Sequence, residues 1–180
     1  MNAIDQEQKQ YDQRLKKSIR SLLRDQLKEM TPWWFVSFHY RDNHTDDQKL
    51  INDVQDLRQK LRRQIFSRRD KSIKGSGAFP YPRVLFFHEQ SNQGTGQFHT
   101  HLILERLPES LNTQEGVETL FRQHLPQKVK ALSKWKSIDV KRINQDLDDY
   151  RCISSYLSKQ SEQSRIVLDP FNSDLSTRTR

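Results

Sequence analysis

Arg83-Val84-Leu85-Phe86-Phe87-His88-Glu89 and, after a polar bend, Phe98-His99-Thr100-His101-Leu102-Ile103-Leu104-Glu105 are the stretch around which the rest of the chain is read. Both runs are rich in aromatic and branched residues. The Ser91-Asn92-Gln93-Gly94-Thr95-Gly96 bend between them is too long for a two-residue connection, so a β-hairpin with an open loop is predicted. Side chains alternate along a strand, which puts His99 and His101 on one face and Thr100, Leu102 and Leu104 on the other. Two imidazoles side by side, with Glu89 across the hairpin, offer two nitrogens and one carboxylate oxygen to a single metal ion. Ordinary strand histidines are the plainer reading, but a His-x-His pair with a carboxylate opposite favours the ion. A one-residue change of register would exchange Glu89 for His88, which makes His88 the rival ligand.

The chain of 180 residues suits one domain with an added arm. Only 33% of it is hydrophobic and 30% is charged, so long solvated helix surfaces are expected. The 31 basic residues against 23 acidic ones give a net charge of +8 and a pI near 9.7. That balance favours a polyanionic partner, nucleic acid first. No apolar run approaches the length of a membrane span, and the polar start Met1-Asn2-Ala3-Ile4-Asp5 is unlike a signal peptide. Cys152 is the sole cysteine, which excludes an internal disulfide and a cysteine-built zinc site. A cytoplasmic protein is expected, without a membrane partner.

Residues 1–30 are predicted as a basic amphipathic N-terminal helix, with Leu15, Ile19, Leu22, Leu23, Leu27 and Met30 at helical spacing. Its Arg14, Lys16, Lys17, Arg20 and Arg24 face solvent or a phosphate backbone. Thr31-Pro32 stops it, and Trp33 to Tyr40 follows as an aromatic-rich central strand, packed over Trp33 to Phe38, whose end at His39 can reach the active face. A second amphipathic helix, with Leu50, Val54, Leu57, Leu61 and Ile65, is predicted to about Arg69. Between positions 58 and 74 eight basic residues stand against the single acid Asp70, too lopsided for helix ion pairs. Arg62, Arg63, Arg68, Arg69, Lys71, Lys74 and Arg83 are therefore read as the phosphate-binding edge. Phe79 and Tyr81 in the same loop suit base stacking or anchor the loop.

After the hairpin, Asn112 and Glu115 read as a capping box for a helix carrying Val117, Leu120 and Phe121. Pro126 interrupts it; Val129, Leu132 and Trp135 suggest a further helical stretch. Ser137 to Ile143 alternates as a strand. The order strand–helix–strand, twice, predicts an α+β fold with the ferredoxin-like split βαβ antiparallel sheet and additional N- and C-terminal helices. The main domain would occupy 31–163. In the last helix, from about Asp146 to Ser161, Leu147, Tyr150, Ile153, Ser154 and Leu157 form the packed stripe, and Tyr156 falls at its edge. Residues 164–180 read as a basic, partly ordered tail.

The Phe98-His99-Thr100-His101-Leu102-Ile103-Leu104 segment resembles the central motif of the HUH endonucleases, and Tyr156-Leu157-Ser158-Lys159 resembles their tyrosine motif. Trp34 to Phe38 resembles their first motif more weakly. Tyr156 follows His101 by 55 positions, and the resemblance spans most of the chain from Trp33 to Gln160. Thr100 departs from the bulky residue usual there. Cys152 and Gln160, one turn either side of Tyr156, imply a single-tyrosine enzyme. The resemblance implies that Tyr156 attacks a phosphodiester of single-stranded DNA, keeping the 5′ phosphate and releasing a 3′ hydroxyl. It also implies that Mn2+ or Mg2+ on Glu89, His99 and His101 polarises the phosphate, with Lys159 sharing the developing charge. The Tyr-x-x-Lys pattern is similar to that of rolling-circle replication initiators, the favoured use. The Tyr-x-x-x-Gln pattern, with Gln160 as a ligand, is similar to that of single-tyrosine transposases. Such an initiator of this length needs a separate helicase and reads single-stranded DNA, with or without a hairpin at the origin.

Two other classes compete. A sheet with exposed aromatics and basic loops can bind single strands without cutting, and then needs neither metal nor Tyr156. A two-histidine, one-carboxylate iron oxygenase has the ligand types but leaves the basic balance and the tyrosine helix without a role.

Overall fold

The computed structural model describes residues 3–40, 47–64, 81–91, 98–125, 135–158 and 164–175. The elements in order are α1 (Ala3–Met30), β1 (Trp34–Tyr40), α2 (Asp47–Gln64), β2 (Val84–Ser91), β3 (Phe98–Leu104), α3 (Gln114–Thr119), β4 (Trp135–Arg142), α4 (Leu147–Leu157) and β5 (Ser164–Leu168). The strands make one antiparallel sheet in the order β4-β1-β3-β2-β5. This is an α+β fold with a helix pair on each sheet face.

Alternation in the strands sorts the two cores. Trp34, Val36, Phe38 and Tyr40 of β1 lie with Phe86, Leu102 and Leu104 against Leu50, Val54, Leu57 and Leu61 of α2 and Val117 of α3. The α2 stripe is the predicted one; Ile65 lies outside the described residues. On the other face Leu85, Phe87 and Ile103 meet Leu23, Leu27 and Met30 of α1 and Tyr150 and Leu157 of α4. The N-terminal helix thus packs into the second core by its C-terminal half, while Leu15 and Leu22 of its expected stripe stay exposed, as does Tyr11. It ends where Thr31 takes a positive φ of 48° ahead of Pro32, since a residue before proline is barred from continuing the helix.

Three local expectations change. Asn112 does not cap α3: its Oδ1 accepts from Trp34 Nε1 (2.8 Å) and Leu107 N, and Thr113 is the N-cap, accepting from Gly116 N. Trp135, expected on a helix, opens β4, because pairing with Tyr40 overrides its local spacing. Leu147 is exposed rather than packed, since α4 begins there under the Asp146 cap.

Within the segment expected to be partly ordered, residues 164–168 pair with β2 as β5, a strand not predicted, covering an edge that would otherwise expose unpaired backbone groups. Residues 169–174 then clasp the sheet end and α2. Ser173 Oγ accepts from Phe86 N at 2.8 Å, and Asp174 accepts from Val84 N, Arg58 and Arg62. Asp169 is buried and bonded to His88 Nε2 at 3.1 Å and Asn172 Nδ2 at 2.7 Å. Burial raises the Asp169 carboxyl pKa, but the hydrogen bonds from His88 and Asn172 outweigh it and hold the group below its ordinary value. A depressed carboxyl stabilises the fold above the ordinary carboxylate value, and that contribution is lost as pH falls through it and then through the lower folded value. Asp169→Asn is therefore expected to lose about 1–3 kcal/mol at pH 7. In urea unfolding the gap to wild type should shrink steadily below about pH 4.

Candidate active site

The register of the hairpin decides which residues meet. Glu89 lies opposite His99, and Phe87 opposite His101. On the other side of β3, Ser37 and His39 of β1 lie opposite His101 and His99. Directly paired residues project to the same face, so Glu89, His99, His101, Ser37 and His39 all rise on the face that carries α1 and α4. His88 points to the opposite face, where its Nδ1 meets Thr100 Oγ1 at 3.1 Å and its Nε2 meets Asp169. Between the two rival ligands, Glu89 is the one beside the histidines.

Tyr156 reaches the same spot from the last turn of α4. Its hydroxyl donates to Glu89 Oε2 at 3.1 Å and lies 3.3 Å from His101 Nε2. The residue is 40% exposed, in keeping with its place at the edge of the packed stripe. His101 is buried and held from behind: Ser37 Oγ sits 2.9 Å from its Nδ1, and the Phe35 ring stacks on it at 5.4 Å. Its Nε2 lies 3.2 Å from Glu89 Oε2. His99 Nδ1 is 3.9 Å from the same oxygen, and the His39 ring meets the His99 ring at 4.1 Å. A cleft of about 460 Å³ opens beside this group, between β1, β4 and α4.

Burial is the first cause of the pKa shifts here. It lifts the Tyr156 phenol far above its ordinary value, and the charge of Glu89 and the hydrogen bond to it act in the same direction. The phenol is therefore protonated and donating. Burial also lowers His99, with His39 beside it, and lowers His39, with His101 beside it. Neutral imidazole is the form that binds a metal.

Among the described residues no three His, Cys, Asp or Glu side chains already form a finished metal site. The donor set nevertheless suits a divalent ion in kind, with two imidazoles beside a carboxylate, and in the spacing of one edge. Ligands held at about 2.1 Å around one ion lie roughly 3.0–3.4 Å from one another. The Glu89–His101 edge of 3.2 Å meets that spacing, and the Glu89–His99 edge of 3.9 Å exceeds it.

The basic residues read as a DNA edge fare unevenly. Arg63 is exposed at the end of α2. Arg62 is engaged by Asp174 and lies over the Tyr81 ring at 4.2 Å. Arg83 is a correction: it is 1% exposed and turned inward, its guanidinium donating to the Asp174 carbonyl at 2.9 and 3.0 Å and its backbone N–H to Glu105. It ties the C-terminal clasp to the hairpin and is closed to a phosphate. Arg68, Arg69, Lys71, Lys74, Phe79, Lys159 and Gln160 lie outside the described residues. Ser37 and Phe35, read as strand packing, belong to the site. The same alternation argument used for His99 and His101, applied to Phe35-x-Ser37-x-His39, finds them once β1 is known to neighbour β3.

Compared with known protein families, with curated proteins and with solved structures, the chain matches none of them.

Proposed function

We propose that the chain is a metal-dependent single-stranded DNA endonuclease and strand transferase of the HUH type. It nicks and rejoins DNA through a 5′-phosphotyrosine and initiates rolling-circle replication in the cytoplasm, with unwinding left to a separate helicase. One observation carries the reading: a phenol from α4 converges on a carboxylate from β2 and an imidazole from β3, within 3.1 and 3.3 Å. The strand order β4-β1-β3-β2, with α2 joining β1 to β2 and α3 between β3 and β4, supports a ferredoxin-like reading of the sheet, with β5 added. The net charge of +8 supports the polyanionic substrate.

Tyr156 Oη bonds to the phosphorus, the bond to the 3′ oxygen breaks, and the phenol proton leaves along the hydrogen bond to Glu89. The departing 3′ oxygen takes a proton from solvent. The ester retains the energy of the broken bond, so a 3′ hydroxyl reverses the step. Glu89, His99 and His101 would hold Mn2+ or Mg2+, which when bound supplies Lewis-acid polarisation of the phosphate. With an ion on His101 Nε2 the proton would sit on Nδ1, where Ser37 Oγ, 2.9 Å away, would accept it and hold the ring. Ser37→Ala is expected to weaken Mn2+ binding by about 10–100-fold in calorimetric titration, with Ser37→Thr retaining most of the affinity.

The deciding experiment mixes the protein with a labelled single-stranded oligonucleotide pool and Mn2+ and runs a denaturing gel. A covalent protein–DNA adduct, abolished by chelator, is the expected result. Binding without an adduct would replace this proposal with a non-catalytic single-strand-binding module.

No helix of the described residues is long and apolar enough to cross a membrane.

A further inference from the structure

The cleft beside Tyr156 has His99 and His101 in its lining and extends from them along β4 and α4. Its volume of about 460 Å³ lies within the range of pockets that hold small ligands, roughly 300–1,000 Å³. Phe35, Ile143 and Ile153 give it apolar walls, and Asp139 and Asp149 add two carboxylates. Asp139 lies opposite Ser37 in the sheet, on the face of His101. Asp149 already accepts from Asn144 N at 2.6 Å. The cations of the lining are both engaged. Arg142 stacks on Trp33 at 3.8 Å, and Lys141 pairs with Asp139 at 3.4 Å. That pair is loose, with side chains 70% and 56% exposed, so a ligand can replace the lysine on the carboxylate.

Two carboxylates repel a phosphate, whereas apolar walls that include the Phe35 ring, with an acceptor at the rim, suit a heterocyclic base. A carboxylate accepts from an exocyclic amine such as cytosine N4, while thymine has no such amine. Resting on the nuclease reading above, we infer that this cleft seats the base of one of the two nucleotides flanking the scissile phosphate. Asp139 selects there for an amine-bearing base and against thymine.

The test uses a pool of strands with random sequence, incubated with the full chain and Mn2+, after which the strands held in covalent adducts and their released partners are sequenced. For the wild type, thymine is expected to be depleted about tenfold at one flanking position. In Asp139→Ala the depletion should fall to within about twofold, and the isosteric Asp139→Asn should relax it as well, while Lys141→Ala should keep it. Adducts with no thymine depletion at either flank, or with depletion unchanged in both Asp139 variants, would overturn the inference and leave the nuclease reading standing. No adduct from any strand would remove the nuclease reading, and this inference with it.

Discussion

Tyr156→Phe is expected to give no covalent adduct and to lower strand cleavage by at least about 10³-fold, because the change removes the attacking atom itself. Single-strand affinity, read by fluorescence anisotropy, should move by less than about twofold. The substitution is clean for a structural reason. The ring keeps its edge contacts with His101 at 5.3 Å and Phe35 at 6.1 Å, and only the hydroxyl that meets Glu89 and His101 is lost. An adduct that persists in Tyr156→Phe would place the nucleophile elsewhere. Tyr150 is a poor substitute, being buried in the second core among residues of α1 and α4.

His101→Ala should give the next largest effect, a loss on the order of 10³-fold in adduct formation, matching the removal of several kcal/mol of charge stabilisation. His101 is the imidazole with the best-defined setting, fixed by Ser37 behind and Phe35 alongside, and its Nε2 is closest to Glu89. The informative control is His88→Ala. His88 adjoins Glu89 in sequence yet faces the other side of the sheet. Its loss should leave adduct formation within about twofold of wild type, while exposing the Asp169 carboxylate to a destabilisation of about 1–3 kcal/mol in urea unfolding. If His88→Ala abolished the adduct and His101→Ala did not, the hairpin register would be other than described.

Much of this was written in local pattern. The apolar period of α2, the strict alternation in β1 and β3 and the pairing of His99 with His101 on one face follow from backbone geometry, which depends only on neighbours along the chain. Tyr156 at the edge of its helix is legible in the same way. Other features depend on partners distant in sequence. The choice of Glu89 over His88 turns on register, and a shift of one residue would have exchanged them. Ser37 becomes part of the site only because β1 lies beside β3. Arg83 reads as one more cation after a basic loop, and its burial comes from Asp174, 91 positions away. Ile166-Val167-Leu168 is too short a run to announce a strand, and it becomes one because β2 offers an open edge. The period of α2, the alternation of β1 and β3, the histidine pair and the charge are thus properties of local sequence, since each rests on residue types and their spacing over a few positions. Which carboxylate meets the histidines, which arginine is buried and where the C-terminal segment docks belong to the assembled sheet, since long-range pairing alone brings those groups together.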